Sequence, residues 1–167
     1  MFVAFSVGKW IQETCDELYT LISTRTQQPT YYSKINFCTD GNEQNENALL
    51  KLFNKDCLNY GQVIKDKEKQ IVYGIHKRKV LGNLPFDKIS IAHVDGLCKA
   101  LRERGKCFVR EASTYPKKRK SIWNLLATYQ AYHNLIKTKQ GETPCMKEGF
   151  THFAWSWGKL LNTRISS

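Results

Sequence analysis

The stretch Lys34-Ile35-Asn36-Phe37-Cys38-Thr39-Asp40-Gly41-Asn42 most constrains what this chain can fold into. Ile35, Phe37 and Thr39 alternate with Asn36 and Cys38, the period of a strand with one face more buried than the other. The run stops on Asp40-Gly41, a strong turn signal. From Glu43 to Phe53 the apolar residues Ala48, Leu49, Leu52 and Phe53 fall at helical spacing. The segment therefore predicts strand, tight turn and helix, with a carboxylate at the strand's C-terminal end, where ligands collect in open α/β sheets. Asp40-Gly41 also reads as a plain turn in which Asp40 or Asn42 caps the helix, and the local pattern leaves both readings open.

The same reading extends along the chain. Residues 2–7 predict a strand, and Gln12 to Ser23 a helix with Cys15, Leu18, Tyr19 and Ile22 as its apolar stripe. This alternation favours parallel pairing and an α/β fold. Cys57 to Ile64 and Ile71 to His76 predict extended segments separated by a charged turn, Asp66 to Gln70. Ser90 to about Gly105 reads as a helix with Ile91, Val94, Leu97, Cys98 and Leu101 on one face and Asp95 beside it. Ser121 to Ile136 reads as an amphipathic helix, with His133 on its apolar side as a satisfied core histidine. Residues 141–149 predict a loop, and the aromatics Phe153, Trp155 and Trp157 are expected to pack on the domain.

Charge narrows the partners. With 26 Lys and Arg against 15 Asp and Glu, the 167-residue chain carries net +11, which favours a polyanion, nucleic acid before an anionic membrane. Nine of the cations, Lys99, Arg102, Arg104, Lys106, Arg110, Lys117, Lys118, Arg119 and Lys120, fall in 22 residues with two acids. A phosphate-backbone surface and a solvated helix face both account for that run. The sequence holds no apolar run long enough for a membrane span, and its first residues do not form a signal peptide. Six cysteines without C-x-x-C spacing then predict free thiols in a reducing cytoplasm, and the scattered histidines argue against structural zinc.

Asp40 and Asp95 are candidate ligands for Mg²⁺, a hard ion that takes oxygen donors, and two such ions support phosphodiester chemistry. The ordered series Thr39-Asp40-Gly41-Asn42, Tyr60-Gly61-Gln62-Val63-Ile64-Lys65, Val94-Asp95 and Leu101-Arg102 resembles DDE-type insertion-sequence transposases with a ribonuclease H-like catalytic domain. The resemblance continues through Phe108-Val109-Arg110, Tyr115-Pro116-Lys117-Lys118, Ala131-Tyr132-His133-Asn134 and Thr143-Pro144-Cys145-Met146, covering most of residues 35–161. It implies Mg²⁺- or Mn²⁺-dependent cutting and joining of DNA at transposon ends. Asp40 stands at the family's second aspartate and Asp95 at its glutamate.

The family's first aspartate lies on a strand that would precede residue 2, so the resemblance implies a partial ribonuclease H-like domain over 1–167. Its core would span about 1–120, with a C-terminal helical part over about 121–167. Aspartate in place of glutamate shortens the reach at position 95 by one methylene, about 1–1.5 Å. The family's Glu-Arg-x-Asn stands here as Asp95-Gly96-Leu97-Cys98. These departures predict a transposase domain impaired in strand transfer when alone. The alternative is a non-catalytic DNA-binding remnant that modulates an intact transposase. A nuclease or resolvase of the same fold and a decayed reading frame are the further readings. An exposed apolar edge at residues 2–7 would favour a homo-oligomer or pairing with an intact transposase.

Overall fold

The computed structural model describes residues 1–9, 11–68, 71–105, 108 and 118–163. The chain divides into two compact units, one over residues 8–116 and one that joins residues 1–7 to residues 117–167.

The larger unit is mixed α/β. Its elements are helix α1 (Gln12–Arg25), strand β1 (Ile35–Asp40), helix α2 (Glu43–Leu52), strands β2 (Leu58–Glu68) and β3 (Ile71–Leu81), and helix α3 (Ala92–Arg104). The sheet order is β1-β2-β3, with β1 and β2 parallel and β2 and β3 antiparallel. The parallel pair is joined through α2, as parallel strands require a crossover. Asp40 is in register with Val63 at the end of this pairing.

Alternation along β1 and β2 divides the apolar residues between two faces. Ile35 and Phe37 pack with Leu58 and Tyr60 against Cys15 and Tyr19 of α1 and Ala48 and Leu49 of α2. Phe37 lies between Tyr19 and Phe53, with ring centroids 6.2 and 5.4 Å away. The opposite face holds a smaller cluster, Val63, Leu84 and Ile89, with Cys38 and Ile91 beside it. Gly61 belongs under this cluster because a Cβ there would come within 2.7 Å of Ile89.

The smaller unit is built on helix α4 (Arg119–Ala131), which runs on into a π-helical turn, Tyr132–Ile136. Short helices α5 (Pro144–Lys147) and α6 (Trp157–Asn162) follow. Thr143, fully buried, caps α5 by accepting from the Met146 N–H.

Several expectations are corrected. Residues 2–7 form no strand, and backbone groups of Phe2 and Val3 are met by side chains instead. The Gln130 amide donates to the carbonyls of Phe2 and Val3, and Asn134 both accepts from the Phe2 N–H and donates to its carbonyl. Phe5 lies on Trp123 at 5.4 Å. An N-terminal sheet edge, and association across it, therefore loses its basis. Asp66 belongs to β2 rather than to a turn, because β3 pairs with β2 out to Glu68.

Residues 144–147 are helical rather than loop. Of the aromatics expected to pack on the domain, Phe153 and Trp157 are exposed, while Trp155 is half-buried. Trp157 stacks on Tyr132 at 5.7 Å, while the Lys159 ammonium sits 4.0 Å from the Phe153 ring centroid. His133 is packed between Phe2 and Tyr129, yet its Nδ1 is buried without a hydrogen-bond partner. It is a core histidine, but not a fully satisfied one.

Cys15, Cys38, Cys57, Cys98 and Cys145 are free thiols. Burial pushes the Cys15 and Cys145 thiols up, which keeps them protonated and unreactive. Among the described residues no helix is long and apolar enough to cross a membrane.

Candidate functional site

The strand-turn-helix at residues 35–52 sets the candidate site. β1 ends at Asp40, and Asn42 caps α2 with its side-chain oxygen accepting from the Gln44 N–H at 2.8 Å. Glu43 and Glu46 in the first helical turn complement the positive end of the helix dipole. Gly41 crosses directly over Ile64, whose Cγ1 would lie 2.9 Å from a Cβ there. A larger residue would force the Ile64 side chain or the turn to shift.

Asp40 is exposed, and its Oδ1 accepts from the Asn45 side-chain amide at 2.7 Å and, more weakly, from the Asn42 N–H at 3.4 Å. One donor is the residue that caps the following helix and the other lies in that helix's first turn. Asp40 thus fulfils the turn role that the local pattern allowed, while remaining at the carboxyl end of a parallel strand.

Asp95 lies in the first turn of α3, with its Oδ2 accepting from the Lys65 ammonium at 2.8 Å. Lys65 stands two residues past Val63, the register partner of Asp40, so it extends beyond the end of β1. Each candidate carboxylate is therefore closed on a partner of its own, an amide for Asp40 and an ammonium for Asp95. Among the described residues no group of three or more His, Cys, Asp or Glu gathers to hold a metal ion. A divalent cation at Asp95 would have to displace the Lys65 ammonium, and with no third ligating group beside these carboxylates among the described residues the donor set as it stands does not fit two-metal chemistry.

Behind the turn lies a buried polar network that the sequence reading passed over. Thr39 donates its hydroxyl proton to the Asp40 carbonyl at 2.7 Å, which leaves the Tyr60 hydroxyl as donor in their 2.8 Å contact. Tyr60 accepts in turn from the Gln62 amide at 2.8 Å. Gln62 and Arg78 both donate to Glu46 Oε2, at 3.1 and 2.7 Å. The chain links β1, β2, β3 and α2 at the level of Asp40; burial raises the Tyr60 pKa and keeps its hydroxyl un-ionised, against the opposing effect of its hydrogen bonds to Thr39 and Gln62. Gln62 is a polar residue at an inward-facing strand position, and that parity was the one available signal.

The basic run divides between the units. Lys99, Arg102 and Arg104 are exposed along α3, the two arginines in its last turn, where cations favour the negative end of the helix dipole. Lys99 is 3.8 Å from Glu103 one turn away. In the smaller unit, Lys118 precedes α4, and Arg119 and Lys120 open it. Cations there meet the positive end of a helix dipole, and an anion at that end is favoured. Lys106, Arg110 and Lys117 lie outside the described residues.

No protein-family model, no curated protein and no solved structure matches the chain.

Proposed function

We propose that this chain is a DNA-binding protein of the DDE-type transposase kind, with a ribonuclease H-like lineage, that does not carry out strand transfer by itself. Its partners are transposon ends or target DNA, and it modulates an intact transposase by occupying those ends or by joining its subunits. The observation that carries this reading is the set of exposed cations Lys99, Arg102 and Arg104 on α3 in a chain of net charge +11. The Lys65–Asp95 ion pair at 2.8 Å adds a weak protein competitor at the carboxylate that the resemblance assigns to metal.

The ordered motifs supply the family, and the α/β unit with Asp40 at the end of a parallel strand is compatible with it. The net charge of +11 and the exposed cations of α3 support a polyanionic partner. Mg²⁺ or Mn²⁺ would find oxygen donors at Asp40 and Asp95, but no reaction step is assigned to the ion with these residues as they stand.

Fluorescence anisotropy of the full chain on labelled duplex DNA tests the binding, first in a chelator and then with Mn²⁺. Supercoiled plasmid in the same buffers reports nicking. The expected result is salt-dependent binding that needs no metal, with no metal-dependent nicking. Nicking that requires Mn²⁺ and is lost in Asp40→Asn would restore the catalytic reading. Absence of DNA binding at low salt would refute the proposal.

A further inference from the structure

The β2–β3 ribbon outruns the rest of its sheet. β1 pairs with β2 only over Leu58–Val63, whereas β2 continues to Glu68 in antiparallel pairing with β3. From Ile64 onward two strands stand without a third, extending roughly 16 Å at the usual rise per residue. A bare two-stranded ribbon is marginally stable in water, yet this one displays large side chains: Ile71 is 72% exposed, Tyr73 73% and Ile75 64%.

The register slips by one residue at Tyr73, which makes it the extra residue of a bulge. Bulges re-aim a side chain and tighten the local twist. Along the same strand follow His76, Lys77, Arg78 and Lys79, all exposed. Lys77, Arg78 and Lys79 pair with Val63, Gln62 and Gly61, so these three cations stand at the base of the ribbon, where β1 still flanks β2.

We infer that this ribbon is a second DNA-contacting surface, separate from the 99–120 basic segment, and that it enters the major groove of a duplex. The inference rests on the DNA-binding reading above and adds the element that makes the contact. Two strands about 4.8 Å apart with their side chains match a groove about 12 Å wide, which admits a two-stranded ribbon. Charge complementarity selects the occupant, because with the end of the ribbon in the groove the cations at its base stand at the level of the flanking phosphates.

Lys77 donates to the Phe86 carbonyl at 2.8 Å and Lys79 lies 4.6 Å from the Phe86 ring centroid. Both are solvent-exposed contacts that a phosphate oxygen can replace. Arg78 is tied to Glu46 and keeps its structural place. Tyr73 and Ile75 then supply apolar contact within the groove. A second copy pairing along β3 is the competing occupant, and three consecutive cations on the open edge oppose it.

The test measures affinity of the full chain for a labelled duplex as salt is raised, for wild type, Lys77→Gln/Lys79→Gln, and Tyr73→Ser. The double variant is expected to flatten the dependence of log K on log salt by about 1.8, since each lost phosphate contact removes about 0.9. Tyr73→Ser, at an exposed uncharged position, weakens binding several-fold with the slope unchanged. Amide exchange in β3 slows when DNA is added.

An unchanged slope and affinity in the double variant, with wild type binding DNA, would overturn the ribbon inference alone. Loss confined to a Lys99→Gln/Arg102→Gln control would locate the contact elsewhere and have the same meaning. Failure of wild type to bind DNA would remove both readings. Concentration-dependent protection of β3 without DNA would instead assign this edge to pairing between copies.

Discussion

Replacing Lys65 with glutamine tests whether Asp95 is a metal ligand held in check by a protein cation. Two limits bound the effect. If the ammonium stayed in place, a divalent ion about 4 Å away would be repelled by about 2 kcal/mol at the dielectric of water and by about 8 kcal/mol at an effective value of 20. If the lysine swung aside, only its own ion pair would be lost, and an exposed pair contributes about 0–1 kcal/mol.

The second limit governs. The Lys65 side chain is 31% exposed and that of Asp95 56%, and the lysine stem is flexible, so the ammonium can leave. Lys65→Gln should therefore raise Mn²⁺ affinity by no more than about five-fold, the equivalent of about 1 kcal/mol. Titration calorimetry on wild type, Lys65→Gln and Lys65→Gln/Asp95→Asn measures it, and the gain should vanish in the double variant. A gain that survives Asp95→Asn puts the ion elsewhere. No Mn²⁺ heat in any of the three would end the reading of Asp95 as a residual ligand.

Other expectations follow from the packing. Tyr60→Phe removes the hydroxyl between Thr39 and Gln62 and should cost about 1–3 kcal/mol in urea unfolding, because buried partners are left short of a bond; a neutral result would mean that water replaces it. Two glycine-to-alanine changes should have opposite signs. Gly96 has nothing within 4 Å of a Cβ, so Gly96→Ala should stabilise α3 by about 0.5–1 kcal/mol. Gly82 has φ +67°, and a Cβ there would meet Asn59 and come within 2.6 Å of the Leu58 carbonyl, so Gly82→Ala should destabilise by about 1–3 kcal/mol.

His133 provides a pH test. Burial, then Lys137 and the amino terminus, hold its pKa below the ordinary value. The unfolded chain therefore binds the proton more readily, and the smaller unit should lose stability as pH falls through about 6.5. His133→Phe should remove that slope from thermal melts between about pH 7.5 and 5.5; a slope that persists would point to other groups.

Much of the larger unit was legible because its signals are local. The period-two run at Ile35–Thr39, the Asp40-Gly41 stop and the helical spacing at Ala48 and Leu49 depend on neighbours in sequence, and β1, the turn and α2 appear where those signals lie. The helix at Gln12–Arg25 buries Cys15 and Tyr19 from the expected stripe for the same reason. Residues 2–7 show the limit. Their apolar character requires burial but does not specify a strand, and Gln130 and Asn134, more than 120 positions away, hydrogen-bond the backbone of Phe2 and Val3.

The site divides along the same line. Sequence alone determined that Asp40 ends a strand, that Asp95 sits on a helix, and that the chain is strongly basic, since each follows from local periodicity or from composition. Only tertiary structure decided what those groups meet. Lys65 reaches Asp95 across 30 positions, Glu46 receives Gln62 and Arg78 from two strands, and the β2–β3 ribbon projects because β1 stops at Asp40. Ion pairs and sheet edges depend on which segments become neighbours in space, and that is fixed by how the sheet, helices and loops pack, not by any spacing along the chain.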